Sequence, residues 1–357
     1  MRLIGWLAVT TLILFSALPD SPKFEDPRLE AAVRDELGIA EDVRLSRLQL
    51  ARITELTAPN ESIVSLVGLE FCKRLQVLDL SENRVSDLRP LADLLELETL
   101  KLKSNQVTDV HPLAELHSLI HLDLDFNFIT DISPLSGLHQ LEWLGLWNSG
   151  IRDIQPLAQL TQLRELGLSG CPIEVFSPLA SLTKLKWLGL PNTGVVDISF
   201  LADMTCLIKL SLGGNAISDL SPLAELSQLE GLGLDSNDIV DVRPLADLTS
   251  LQRLSLWGNR IEDVSPLAGM TELEQLWLDR NPITDVSILR GMEKLRILGL
   301  SSTRIESIGA LLDNVELGAG DEIDLRDTAL SLSPNGDDWI DLQQLISRGT
   351  LVHWDKP

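Results

Sequence analysis

Residues 75–96 read LQVLDLSENRVSDLRPLADLLE, and residues 97–118 read LETLKLKSNQVTDVHPLAELHS. The second stretch repeats the first at a period of 22 residues. Equivalent frames open at Ile53, Leu75, Leu97, Leu119, Leu141, Leu163, Leu185, Leu207, Leu229, Leu251, Leu273 and Leu295, twelve frames covering 53–316 without an insertion or deletion. A thirteenth, degenerate frame follows as EIDLRDTALS, displaced by an insertion around Gly318–Asp321. A unit of this length cannot bury its apolar face alone, so the units must stack as coils.

The consensus is L-x-x-L-x-L-x-x-N-x-I-x-D-[IV]-x-P-L-A-x-L-x-x. Positions 4 and 6, such as Leu78 and Leu80, alternate with polar residues and predict a short strand with one buried face. Position 9 is Asn in seven frames (Asn83, Asn105, Asn127, Asn215, Asn237, Asn259, Asn281) and Ser149, Cys171, Thr193 or Thr303 in others. A carboxamide carries both a donor and an acceptor, so it can bridge free backbone groups from one coil to the next. Asp at position 13, as in Asp87 and Asp109, precedes Pro by three residues and predicts a capped helical turn on the outer side. Leu at positions 17 and 20 would bury that turn against the strand.

The ends read as caps. Asp26-Pro27 is an N-cap followed by Pro at the first helical position, and Leu29, Ala32, Val33 and Leu37 recur at helical spacing before Gly38. A second helix starts at Asp337 or Asp338, with Ile340, Leu342, Leu345 and Ile346 expected to face inward. An open stack needs both end coils covered. Ahead of the first cap, Arg2 precedes an uncharged apolar stretch from Leu3 to Leu18 that Pro19, Asp20 and Pro22 end. This is the layout of an export signal, cleaved or retained as an anchor, and it predicts a secreted, periplasmic or cell-surface chain. The expected organisation is therefore 1–22 signal or signal-anchor, 23–52 helical N-terminal cap, 53–316 repeats, and 317–357 degenerate repeat and C-terminal cap.

With these residues in view, the chain resembles the internalin-like bacterial proteins with 22-residue leucine-rich repeats. FEDPRLEAAVRDELG (24–38) resembles their helical N-cap, and DDWIDLQQLISRGTLVHW resembles their closing helix and strand. The resemblance implies an α/β solenoid: a leucine-rich repeat horseshoe with a parallel β-sheet on its concave face. Short 3-10 helical turns would line the convex face, between a helical N-cap and a helix–strand C-cap. It also implies a non-catalytic module that recognises a protein through aromatic residues on the concave face.

Composition excludes several other functions. Lys plus Arg is 29 and Asp plus Glu is 53, a net charge of −24. That balance argues against nucleic-acid binding and against electrostatic docking on anionic lipid. Three cysteines at different frame positions predict no disulfide. There is no nucleophile elbow and no phosphate-binding glycine loop, so an enzyme is not expected, nor a cofactor. The closest approach to a metal set is His121, Asp123 and Asp125, at positions 3, 5 and 7 of one strand. The preceding strand places Lys101 and Lys103 opposite the two aspartates, with Asp79 flanking Lys101, which predicts an ion-pair ladder rather than a metal site.

Tyr is absent while Trp occurs eight times. The five within the repeats, Trp143, Trp147, Trp187, Trp257 and Trp277, occupy positions 3, 7, 3, 7 and 5. All five therefore project from the strand face, where leucine is not needed for the core. Position 5 is Gly145, Gly167, Gly189, Ser211, Gly233, Ser255 and Gly299 in other frames, which predicts a floor with room for a ligand. Trp147 and Trp257 are five strands apart, roughly 24 Å at the usual strand spacing, a span for a macromolecule. Glu165, Lys209, Arg253, Asp279 and Arg280 would orient it. A protein is the leading partner; a glycan stacked on the indoles is the alternative, and an envelope protein with no discrete ligand a third. The bland possibility is that the tryptophans pack on one another, with Trp257 and Trp277 covering each other diagonally.

Overall fold

The structure is a computed structural model that describes residues 22–333 and 336–355. The apolar N-terminal stretch expected to direct export lies outside the described residues. Among the described residues no helix is long and apolar enough to cross a membrane.

Two helices, α1 (Pro27–Leu37) and α2 (Arg47–Leu50), precede the array. Strands β1 to β12 follow, one per frame: Glu55–Thr57, Val77–Asp79, Thr99–Lys101, His121–Asp123, Trp143–Gly145, Glu165–Gly167, Trp187–Gly189, Lys209–Ser211, Gly231–Gly233, Arg253–Ser255, Gln275–Trp277 and Ile297–Gly299. A one-turn helix, α3 (Gly309–Asp313), then leads to β13 (Glu322–Asp324), α4 (Asp337–Ser347) and β14 (Leu351–His353). All fourteen strands form one sheet in sequential order. Each pairs in parallel with the next, and through β12 every partner lies 22 residues on, as in Leu56↔Leu78 and Leu276↔Leu298. Short 3-10 turns return the chain on the other side of each coil, starting as at Arg89–Leu91 and His111–Leu113. The fold is thus the leucine-rich solenoid that the repeat predicts.

Three interactions set the coil. The Leu residues of positions 4 and 6 are buried, among them Leu78, Leu80, Leu100 and Leu102 at 0% exposure. Each contributes about 1.5–3 kcal/mol by leaving water. The position-9 carboxamides form a ladder over two runs of coils, Asn83 to Asn127 and Asn215 to Asn281. Asn105 donates from Nδ2 to Leu80 O and Leu102 O, and accepts at Oδ1 from Val85 N at 2.9 Å. The position-13 carboxylates cap the outer turns. Asp109, Asp131 and Asp219 each accept from the backbone N–H two residues on, and that bond holds them below the ordinary carboxylate range.

The ladder has substitutes at four coils. Cys171, Thr193 and Thr303 still donate to a carbonyl, at Leu146, Leu190 and Leu300 respectively. Ser149 is buried and its hydroxyl has no protein partner. Position 8 has a regularity that the consensus hides: from Asn60 through Ser302 every residue there is left-handed, with φ between +51° and +71°. Gly and Asn, which tolerate this region, fill half of these places and Ser three more, but Glu82, Phe126 and Arg280 also adopt it.

The caps seal the stack as the termini suggest, with one correction. Asp26 caps α1 and also accepts from Val64 N at 2.7 Å, fastening the helix to the first coil. In α4, Leu342 and Leu345 are buried, but Ile340 is 46% exposed instead of facing inward. Two residues are about 200° of helical rotation, so Ile340 lies across the helix from Leu342. Trp339, three residues before Leu342, takes the inward place.

Candidate binding face

Positions 3, 5 and 7 of each coil form the exposed face of the sheet, and all five repeat tryptophans lie on it. None stands free. Each is half-buried. Trp143 stacks on His121 of β4, with centroids 4.1 Å apart and planes 7° from parallel. Trp147 and Trp187 approach at 6.0 Å with a 33° tilt. The Arg280 guanidinium lies 5.4 Å from the Trp257 ring centroid.

The glycine floor has a different meaning from the one its composition suggests. A Cβ on Gly145 would meet Trp143 Cη2 at 2.6 Å, and one on Gly167 would meet Trp147 Nε1 at 2.0 Å. On Gly189 the contact would be Trp187 Cη2 at 3.0 Å. These glycines are seats on which the indoles lie. The room the small residues leave is filled by the chain's own aromatics, which form a supported ridge across β5 to β7.

The expected ion-pair ladder is only partly present. Lys101 Nζ turns to Asp79 at 3.5 Å, and Lys103 sits 5.7 Å above the Phe126 ring while its charge still acts on Asp123 and Asp125. Asp125 is 6% exposed and accepts from Trp147 N at 2.8 Å. Burial pushes its carboxyl up to about 6, raises Asp123, and lowers His121. Among the described residues no group of three or more His, Cys, Asp and Glu could hold a metal ion. Cys72 and Cys171 are buried, with thiols pushed up to about 12 and about 11 by that burial, and Cys206 is exposed; all three are free.

The charged candidates are dispersed. Glu165 on β6 lies in register between Trp143 and Trp187, and Lys209 on β8 pairs with Trp187 on the other side. Arg253 is exposed on β10. Asp279 is fixed at Oδ1 by Ser301 N and Ser301 Oγ, at 2.9 and 2.7 Å. At the C-terminal end charge and aromatics converge around an open space. There a cleft of ≈ 360 Å³ is lined by Trp257, Trp277, Asp279, Arg280, Glu322 and Asp324, among others. Trp257 and Trp277 wall this space and do not cover each other.

Several contributors were not found from sequence. Glu322 and Asp324 stand at positions 3 and 5 of the degenerate frame, where the insertion conceals the register. Phe126 and Phe128, 42% and 66% exposed, flank the ridge. On the outer side, Phe176 and Phe200 stack at 5.9 Å beside exposed Val175 and Val196, along a groove of ≈ 590 Å³. The signal was available: Val175 replaces the position-13 Asp and Phe200 replaces the position-16 Pro in adjacent frames.

The family profile described as Leucine Rich repeats (2 copies) matches residues 73–115, 95–137 and 227–269. A comparison with curated proteins finds no match. Among solved structures, the internalin InlF of Listeria monocytogenes is 32% identical, with 85% of this chain and 97% of that one covered and a TM-score of 0.74. The functional domain of InlJ from Listeria monocytogenes is 21% identical, covering 87% of this chain and 67% of that one, TM-score 0.63. A leucine-rich repeat protein of Leptospira interrogans is 23% identical, covering 81% and 74%, TM-score 0.72. The last two share the fold alone.

Proposed function

The chain belongs to the internalin family of leucine-rich repeat proteins, and we propose that it is an exported, non-catalytic module that captures a protein on its concave face. One observation carries this reading: the supported ridge of Trp143, Trp147 and Trp187. The indoles rest on Gly145, Gly167 and Gly189 and contact His121 or one another, so they are held in place before any partner arrives. Anchors that are already ordered lose little freedom on binding, and aromatic anchors dominate interface energetics. A solenoid supplies the extended concave surface around them. Trp257, Trp277, Glu165, Lys209, Arg253, Asp279 and Arg280 extend the surface along the sheet and give it mixed charge. The apolar stretch from Leu3 to Leu18 supports export.

The test is capture from extracellular and envelope fractions. Bait is the chain, beside a variant with Trp143, Trp147 and Trp187 changed to Ser, checked for unchanged circular dichroism. The expected result is a protein held by the first and lost by the second. Equal capture by both would move the site to the groove beside Phe176 and Phe200 or to the caps.

A further inference from the structure

Four of the five concave indoles already have a ring or a cation against them: Trp143 has His121, Trp147 and Trp187 have each other, and Trp257 has Arg280. Among the described residues Trp277 has neither, and it faces the C-terminal cleft. Trp277, Gly299 and Asp324 are register neighbours on β11, β12 and β13. The place a Gly299 side chain would take, between an indole and a carboxylate, is filled by Asp279, whose Oδ2 lies 2.0 Å from where the Cβ would sit, so the floor of the cleft is acidic.

The charges are unevenly answered. Arg326 pairs with both oxygens of Asp324. Glu322 meets only His353 Nε2 at 2.9 Å through Oε1, and Asp279 meets only the Ser301 donors. Arg280 is held over Trp257. Two carboxylates, Asp279 and Glu322, therefore line the cleft with no Arg or Lys paired to them among the described residues, beside one indole face without a ring or cation on it.

We propose that this cleft is a socket for an arginine side chain carried by the bound protein. The proposal rests on reading the concave face as a protein-binding surface. A guanidinium is planar, so it can lie on Trp277 while its edge donates to Asp279 and Glu322. An ammonium cannot stack and fork at once. A neutral sugar could stack but would leave the carboxylate charge unanswered. Arg280, with its guanidinium carbon 5.4 Å from the Trp257 ring centroid, already sets such a cation over an indole at the rim of the cleft.

The test follows the indole N–H signals of the chain by NMR, with Trp277 assigned from Trp277→Phe. Three probes are titrated: acetyl-Gly-Arg-Gly-amide, the same peptide with citrulline for arginine, and cellotetraose. The arginine peptide is expected to move the Trp277 signal, with citrulline about tenfold weaker. Glu322→Gln should weaken the arginine peptide about fivefold while the Trp147 and Trp187 signals stay in place. Equal binding of citrulline or cellotetraose, or an unmoved Trp277 signal, overturns the socket. The ridge variant is read separately, four strands away. Partner loss there with failure here sinks the socket alone; retained capture there sinks the concave-face reading itself.

Discussion

Asn127 shows how much one side chain does in this fold. Its Nδ2 donates to Leu102 O and Leu124 O at 2.9 and 3.0 Å, and its Oδ1 accepts from Val107 N at 2.9 Å. Asn127→Ala is expected to cost about 1–3 kcal/mol for each buried group left unpaired, read by urea denaturation. Ser149 is the converse case. Its backbone has the same turn and its hydroxyl is unpaired, so Ser149→Asn should restore the rung and add about 1 kcal/mol of stability. Asp125 gives a pH dependence whose sign can be worked out. Its carboxyl titrates near 6 in the folded chain against an ordinary 3.8, so the folded state binds the proton more tightly. Stability from that proton is full below 3.8 and is lost as pH rises through about 6. Asp125→Asn should therefore gain about 1–3 kcal/mol over the native chain at pH 8, with the gain shrinking toward pH 4. The difference between the two chains must be compared, because the position-13 aspartates lose stability in acid and affect both alike. A gain independent of pH would place the effect elsewhere.

At the scale of the coil, strand, turn and ladder were legible because each follows from period and residue type. Leu78 and Leu80 named the buried face, the Asn residues the ladder, and Asp87 the cap. The site was legible only as a direction. Alternation says that Trp147 leaves the sheet on the exposed side; it does not say that the indole then lies down on Gly167. That depends on the strand beside it, which a single frame does not show. Ile340 differs for a related reason: an apolar residue type at a helix start does not show that it lies about 200° of rotation from Leu342. The seat geometry can be tested by adding one methyl group. Gly167→Ala should lift Trp147 off the sheet, red-shift its emission and cost about 1–3 kcal/mol. Gly231→Ala is the control, because its nearest neighbour, Lys209 Cγ, would be 3.6 Å away. Equal effects at both positions would refute the seat.

The molecule as a whole is a quasi-linear stack with a charge of −24. Its outer-turn aspartates repeat along the stack, and neighbours oppose each other's ionisation, Asp87 acting on Asp109 and Asp241 on Asp263. Screening should relieve this. Thermal stability is expected to rise between about 10 and 150 mM salt, where surface ion pairs alone would make it fall. The unbroken spacing of the paired strands has one more consequence. Distance along the inner face comes in equal steps, one per coil, so the ridge and the C-terminal cleft stand apart like the jaws of a caliper. Removing 207–228 would leave Leu188 facing Leu232, like for like, and close the jaws from four strands to three, a change of roughly 5 Å. The shortened chain should fold, as circular dichroism and melting would show, yet lose a rigid ligand that touches both jaws. Whole-coil gain or loss is thus a route by which such a chain can be refitted to a ligand of another length while the ridge and the cleft each stay intact.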